Sequence, residues 1–292
     1  HFDHQRKIGL FLGKEQASTG GVARFCRYDE LTNAWDVGIP LWGQGSETGH
    51  IYDANAYDVA RGEHYQQRHR SATIRRWAPG YALTQWDDLS IDFSPVSAVI
   101  GSDGTICSSG EAGQAFHPNL FGPGDGGLVI TAMRGIFAWR RSTGACVPLT
   151  TYSYGSATPD TPCVEYVAGL NAVLVSLAND NRTWRVDAGP SITEVAGAPI
   201  PIGCRASGNC ARTVDDPLGR GFAWCLEVNG SARVWQWDGD SFNLQAYTHP
   251  IAGAQSGNQA ACVIAAVRPY GVIWALERIN NTLRSRLWKP PA

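Results

Sequence analysis

Residues 61–77, RGEHYQQRHRSATIRRW, bring together the side chains of this 292-residue chain that are best suited to chemistry. If the first part of this stretch is a β-strand, alternation places four polar side chains on one face: His64, Gln66, Arg68 and Arg70. Arginine offers a planar fork of donors that suits carboxylate or sulfate groups. One hypothesis is therefore a ligand-binding face for an acidic partner.

The alternative hypothesis is an irregular strand with a short buried section and a solvated outer half. Buried polar groups without partners cost roughly 1–3 kcal/mol each, so they must be paired or open to water. Equivalent strands elsewhere in the chain are apolar, as in LVITAM (128–133), AVLVSLA (172–178), FAWCLEV (222–228) and VIWALER (272–278). The polar strand is thus the exception that needs an explanation.

A second group of candidates lies just upstream, in GSETGHIYDANAYD, residues 45–58. His50, Tyr52 and Asp53 are the predicted catalytic residues, because a histidine and a carboxylate can form an acid/base pair near neutral pH. The alternative is that they simply form turns. His117, in QAFHPNL, occupies the equivalent strand of the following segment and is a further candidate ligand-binding residue. The cysteines show no CxxC pair and no cluster has metal-ligand spacing, so we predict no metal and no cofactor.

The elements that must position these residues follow from an internal repeat of about 48 residues. Three segments begin with cysteine and then run through a short strand, a turn, an apolar strand, a polar turn and a strand with Trp near its end. They start at Cys163, Cys210 and Cys262, spaced 47 and 52 residues apart. The first half follows the same scheme with less similarity, which makes six units. Four strands at this period are typical of a propeller blade, whose neighbours must cover its two faces.

At residues 27–38, RYDELTNAWDVG, Tyr28 and Asp29 precede a turn and Trp35 follows it. This segment resembles a kelch-type blade. The resemblance covers one blade and implies a propeller fold; it implies no catalytic residues.

We therefore predict an all-β protein, a kelch-like six-bladed β-propeller with four-stranded antiparallel blades, forming a single domain over residues 1–292. The predicted blades are approximately 1–47, 48–95, 96–150, 151–200, 201–250 and 251–292. The last unit shows no obvious fourth strand, and we expect the natural polypeptide to extend upstream. Five tryptophans are expected to pack between blades: Trp77, Trp139, Trp184, Trp235 and Trp288.

Eight cysteines leave two possibilities open, disulfides or buried free thiols. Cys163, Cys210 and Cys262 should begin equivalent inner strands and lie too far apart to pair with one another, because a disulfide needs Cα atoms within about 7 Å.

The composition excludes several classes of function. The formal net charge is −2, which gives no global field for nucleic acid or an anionic membrane surface. No apolar run reaches the 18 or more residues of a membrane span. We therefore predict no nucleic-acid and no membrane partner.

For function, we predict a non-enzymatic recognition or structural module that binds a glycan or protein partner, as a subunit of an extracellular or virion-type assembly. The predicted location is extracellular or on a virion surface. The alternative is a polysaccharide lyase or hydrolase that acts on an acidic glycan at the central channel. That alternative requires His50, Tyr52 and Asp53 to converge with the face bearing His64 and Arg68. Binding is favoured because the sequence shows no complete catalytic constellation.

Overall fold

The computed structural model describes residues 1–14, 23–40, 54–67, 71–102, 104, 106, 113–152, 163–177, 182–195, 211–227, 232–237, 239, 241–251, 262–279 and 282–291. In these residues the chain forms six antiparallel sheets, each from strands that are consecutive in sequence, with only three single-turn 3-10 helices. The fold is an all-β, six-bladed β-propeller, as the repeat predicts.

The first three sheets have four strands each. Blade 1 contains β1 (Phe2–Asp3), β2 (Ile8–Lys14), β3 (Ala23–Asp29) and β4 (Ala34–Gly38). Blade 2 contains β5 (Asn55–Asp58), β6 (Glu63–Gln67), β7 (Ile74–Trp77) and β8 (Asp87–Asp88). Blade 3 contains β9 (Gln114–His117), β10 (Gly127–Ala132), β11 (Gly135–Arg140) and β12 (Cys146–Thr151).

The last three sheets follow the same order. Blade 4 contains β13 (Cys163–Val167), β14 (Ala172–Ser176), β15 (Thr183–Asp187) and β16 (Ser191–Val195). Blade 5 contains β17 (Ala211–Asp215), β18 (Ala223–Glu227), β19 (Arg233–Trp237) and β20 (Phe242–Thr248). Blade 6 contains β21 (Cys262–Val267), β22 (Val272–Ile279) and β23 (Thr282–Trp288). The described part of this sheet has three strands, in agreement with the absence of an obvious fourth strand in the sequence of the last unit.

The chain divides into two compact units, residues 1–158 with 188–191, and residues 159–187 with 192–292. The first unit holds blades 1–3 and the second holds blades 4–6, apart from the short segment 188–191. The prediction of a single domain stays a prediction.

The burial of each strand follows its place in the sheet. The apolar second strands β10, β14 and β18 are buried along their whole length. The fourth strand β4 is exposed at four of its five residues, and β16 is nowhere fully buried. A second strand is covered on both faces, so it is stable only with mainly apolar residues. The outermost strand has an open edge, so it can carry polar residues.

Each unit is held together by apolar side chains from neighbouring blades. In the first unit, Trp77 packs with Leu10 and Phe25 of blade 1, and Trp139 packs with Tyr65 of blade 2. In the second unit, the Trp288 ring lies 5.9 Å from that of Trp224 in the adjoining blade. Trp235 packs against a cluster that includes Val167 and Leu174 of blade 4. The prediction that tryptophans pack between blades is confirmed at these four positions.

The described cysteines favour the thiol alternative. Cys163 begins β13 and Cys262 begins β21, as the repeat predicts, while Cys210 lies outside the described residues. Free thiols are found at Cys26, Cys146 and Cys225. These three cysteines give no support to a disulfide framework. Within the described ranges, no helix is long and apolar enough to span a bilayer.

Candidate functional site

The predicted site residues divide between described and undescribed parts of the chain. His50, Tyr52, Asp53, Arg68 and Arg70 lie outside the described residues, so their roles stay predictions. The described candidates are His64 and Gln66, both in β6, and His117 at the end of β9.

A row of polar side chains crosses blade 2 from its innermost to its outermost strand. Asn55 pairs with Gln66, Gln66 with Arg75, and Arg75 with Asp88. Residues paired in register share one face of a sheet. Arg75 Nε donates to Asp88 Oδ1 at 2.6 Å, and the Gln66 amide donates to the Gln67 carbonyl. Gln66 is only 3% exposed and its Oε1 accepts no hydrogen bond, which leaves one buried acceptor unfilled.

His64 lies on the same face as Gln66, as strand alternation predicts, and is 1% exposed. Its ring centroid is 5.2 Å from that of Phe25 and 5.7 Å from that of Trp86. Nε2 lies 3.3 Å from Asn55 Oδ1, whereas Nδ1 has no hydrogen-bond partner. Burial lowers the pKa of His64 to about 3, so the imidazole is neutral at physiological pH.

The opposite face of β6 carries an ion-pair network that joins blades 2 and 3. Arg141 donates two hydrogen bonds to Glu63, both at 2.7 Å, and the Tyr65 hydroxyl donates to the same carboxylate at 2.6 Å. Arg76 Nη1 donates to Glu63 at 3.2 Å. Burial acts to raise the pKa of Glu63, but the hydrogen bonds from Arg141 and Tyr65 hold it below its usual range.

These contacts explain why a second strand can be polar. Residues 63–67 are all buried, which agrees with the short buried section of the irregular-strand hypothesis. Its solvated outer half would fall on residues 68–70, outside the described residues, and stays a prediction. Their polar groups are accommodated chiefly by hydrogen bonds and ion pairs. Among residues 63–67, the buried atoms without a hydrogen-bond partner are His64 Nδ1 and Gln66 Oε1.

His117 stabilises a turn within blade 3. It is fully buried at the end of β9, and its Nδ1 accepts the N–H of Asn119 at 3.1 Å, which closes the turn into the next strand. Its ligand-binding role stays a prediction.

A second polar cluster, which the sequence analysis missed, lies where the inner strands of blades 4, 5 and 6 meet. Strand β17 packs beside both β13 and β21. Asp215 ends β17, Arg268 follows β21 directly, and Glu165 lies within β13. Arg268 Nη2 donates to Asp215 Oδ2, and the amide of Asp215 donates to Glu165 Oε1 at 3.3 Å. The cluster therefore takes one side chain from each of three blades.

Asp215 is incompletely satisfied in this cluster. It is 4% exposed, and its Oδ1 accepts no hydrogen bond of normal geometry, although the Ala168 amide lies close enough to act on its pKa. Burial raises the pKa of Asp215 to about 6, because Arg268 offsets only part of the desolvation.

The neighbouring Asp216 provides a contrast. Its carboxylate accepts the Nε and Nη2 groups of Arg220, at 3.1 and 3.0 Å, and the indole N–H of Trp224 at 2.9 Å. Burial acts to raise the pKa of Asp216, but these donors hold it below its usual range. Two adjacent aspartates thus differ: Asp216 is fully engaged in the fold and Asp215 is not.

The turns around Asp215 are packed at backbone distance. A Cβ added at Gly169, in the turn after β13, would lie 2.3 Å from the amide nitrogen of Gly221, in the turn after β17. This approach is possible because Gly169 lacks a side chain, whereas a Cβ at Gly221 would meet Gly169 at an ordinary contact distance of 3.6 Å. It places the Ala168 amide beside Asp215 in a close-packed setting.

One signal in the sequence could have revealed this cluster. Three inner strands end in aspartate, namely β1 at Asp3, β5 at Asp58 and β17 at Asp215. Asp3 and Asp58 are each engaged by the arginine three residues later. Asp215 has no arginine at that spacing and takes Arg268 from the next blade. Within the described ranges, no group of three or more His, Cys, Asp or Glu side chains could hold a metal ion.

No protein-family model and no curated protein matches the chain. Solved structures do resemble it. An auxiliary nutrient binding protein from Bacteroides thetaiotaomicron has a TM-score of 0.58 and 10% identity, covering 99% of this chain and 68% of its own. One from Bacteroides ovatus has a TM-score of 0.57 and 12% identity, covering 94% and 65%. A Bacteroides thetaiotaomicron protein of unknown function has a TM-score of 0.52 and 10% identity, covering 92% and 65%.

The chain thus spans about two thirds of the length of these proteins. At such low identity the similarity shows the propeller fold alone. It gives no kelch-specific evidence.

Proposed function

We propose that this chain is a non-enzymatic propeller that binds a glycan or a protein partner. The observation that carries the proposal is a set of buried polar atoms whose hydrogen-bonding capacity is unfilled in otherwise well-packed strands: His64 Nδ1, Gln66 Oε1 and Asp215 Oδ1. An unfilled buried polar atom costs about 1–3 kcal/mol, so a ligand or water that fills it recovers that free energy.

The state of His64 is in keeping with a binding role. With a pKa of about 3, the imidazole stays neutral at neutral pH, so it can donate or accept a hydrogen bond without taking up a proton. The description of two structural neighbours as nutrient binding proteins is in keeping with a binding role. The kelch relationship rests on residues 27–38, and the extracellular or virion location belongs to the same proposal.

The alternative is a polysaccharide lyase or hydrolase. One observation favours it: a carboxyl whose pKa is raised to about 6, as at Asp215, is what a general acid or base at neutral pH requires. A binding protein releases the glycan intact, whereas a lyase or hydrolase cleaves it.

The deciding experiment measures binding and turnover on one panel of neutral, uronic-acid and sulfated glycans. Binding is followed by calorimetry, and cleavage by reducing ends and by the absorbance of unsaturated products. We expect saturable binding of at least one glycan, or capture of a defined protein partner, with no product over hours at micromolar protein. Turnover that disappears in Asp215→Asn but persists in the surface variant Asp187→Asn would replace the binding proposal with the enzyme.

A further inference from the structure

The outermost strand of blade 1 exposes a concentration of apolar side chains. Of the nine large apolar side chains that are exposed in the described part of the chain, four lie within residues 31–39: Leu31, Trp35, Val37 and Ile39, at 80%, 51%, 51% and 37% exposure. Trp35, Val37 and Ile39 are spaced by two along β4 and the residue that follows it, so they form a stripe on one face of the extended chain, the β4 stripe. A contiguous exposed apolar surface of this kind marks an interaction site.

The backbone of β4 is also open on one side. Within the described residues, β4 pairs only with β3, from Phe25 opposite Gly38 to Asp29 opposite Ala34. The outer edge of such a strand presents backbone N–H and C=O groups that can pair with a further strand. An incoming extended segment therefore finds backbone partners along this edge and an apolar stripe on one face.

Other outermost strands carry features that discourage such pairing. Strand β8 has only two residues, Asp87 and Asp88, and both are acidic. Strand β12 contains Pro148, which has no backbone N–H to donate. Strand β16 is polar or charged at three of its five positions, including Glu194. The β4 stripe contains neither a charge nor a proline.

The hairpin that carries the stripe is held by local contacts. The Tyr28 ring lies 5.1 Å from that of Trp35, and the Tyr28 hydroxyl donates to Asn33 Oδ1 at 2.9 Å. At the end of the strand, a Cβ added at Gly38 would lie 2.4 Å from the Cβ of Leu83, so β4 packs on blade 2 at backbone distance. The edge is thus ordered before a partner arrives, which lowers the entropy cost of binding.

The other face of β4 indicates the charge of the partner. Asp36 lies on the face opposite to the stripe, and its side chain is 59% exposed. Arg27 contacts it at 3.2 Å in an exposed ion pair, which contributes little stability. A lysine or arginine on an added strand would form a cross-strand pair with Asp36. A second copy of β4 is a poorer match, since its sequence, AWDVG, offers no basic residue.

We propose that β4 is a docking edge for an extended segment of a protein partner. The segment adds to the four strands of blade 1, with apolar side chains against Trp35 and Val37 and a basic side chain beside Asp36. This inference rests on the proposed binding function and assigns it a protein partner and a place.

The test uses a labelled peptide of about eight residues in which lysine and valine alternate, so that one face of the extended peptide is apolar and the other is basic. Fluorescence anisotropy measures its binding to the parent and to Val37→Lys. The matched control is Leu244→Lys, because Leu244 is also 51% exposed on an outermost strand, β20 of blade 5. We expect saturable binding to the parent that is weaker by roughly tenfold or more in Val37→Lys, which places a charge in the stripe, and that changes by less than about twofold in the control.

Two further measurements test the charge and the backbone pairing. Asp36→Lys should bind the lysine peptide more weakly than the parent does, and should bind a peptide of alternating glutamate and valine more tightly. The lysine and valine peptide with N-methyl groups on its central backbone amides should not bind the parent, because those amides can no longer donate to the edge of β4.

Equal binding of the lysine peptide to the parent and to Val37→Lys would overturn the docking edge, and equal binding of the N-methylated peptide would overturn strand addition. Dimerisation in analytical ultracentrifugation that is lost in Val37→Lys, with no peptide binding, would make a second copy the occupant and overturn the proposed partner. A parent that binds glycan or another protein segment but no lysine peptide overturns this inference and leaves the binding function standing. If the parent binds none of these ligands, both proposals fail.

Discussion

At the residue scale, His64 links the protonation of one side chain to the stability of the first unit. Its pKa in the folded protein is about 3, well below the ordinary value of 6.5, because the ring is buried among Phe25, Tyr57 and Trp86. Between pH 6.5 and 3 the unfolded chain takes up a proton that the folded chain refuses. The stability contributed by this group is therefore complete above pH 6.5 and is lost as the pH falls.

We expect the parent to lose stability relative to His64→Gln by up to about 1.4 kcal/mol per pH unit below pH 6.5. Urea unfolding at pH 7.5, 6.5, 5.5 and 4.5 measures it. The comparison with the variant is needed because Asp215, whose pKa is raised, acts in the opposite direction between about pH 6 and 3.8. Parallel stability curves for the two proteins would show that His64 is not buried as described.

At the scale of elements, the link between Glu63 and Arg141 connects β6 to the residue that follows β11. The Glu63 side chain is 8% exposed, and its two bonds to Arg141 are parallel and short. Replacing either residue leaves the charge of the other residue with fewer hydrogen-bond partners in a low-dielectric environment, which destabilises the folded protein.

We expect Glu63→Gln and Arg141→Met each to lower the free energy of unfolding by about 2–3 kcal/mol. This is less than the roughly 3–5 kcal/mol usual for a buried ion pair, because Arg76 also contacts Glu63. The double variant should lose less than the sum. The control is the exposed pair of Arg27 and Asp36, where Asp36→Asn should cost less than about 1 kcal/mol. Equal losses in Glu63→Gln and Asp36→Asn, measured by urea unfolding, would contradict the network.

At the scale of the whole molecule, charge and composition limit the partners. The chain has 24 Lys and Arg against 26 Asp and Glu. Many of the described arginines are already engaged by carboxylates, including Arg6, Arg61, Arg76, Arg140, Arg141 and Arg220. Arginines held in this way by carboxylates are less available to neutralise phosphates.

We therefore expect no binding of labelled duplex DNA or single-stranded RNA below 10 µM protein at about 50 mM salt, measured by fluorescence anisotropy. Low salt is the stringent condition, because phosphate contacts strengthen as salt is removed. Submicromolar binding that weakens steeply with salt would contradict this prediction.

Much of the fold was open to prediction because blade periodicity is a local property. Apolar second strands, polar turns and a Trp in the third strand recur in blades 3–6, so strands such as β10, β14 and β18 could be predicted from short stretches. The same rhythm identified β6 as a second strand and set His64 and Gln66 on one face. It also placed Cys163 and Cys262 at the start of inner strands.

By itself, then, the sequence determined the strand rhythm, the six sheets and the alternation within each strand, since these depend on neighbours a few residues apart. Only the tertiary structure decided what the polar side chains do. Glu63 meets Arg141 across 78 residues, and Asp215 meets Arg268 across 53. Such contacts depend on how one blade packs against the next, and the local sequence pattern of a strand does not predict this packing. For the same reason, the sequence could show that β6 is polar but not that it is buried, and it could not distinguish Asp215, with its unfilled oxygen, from the fully engaged Asp216 beside it.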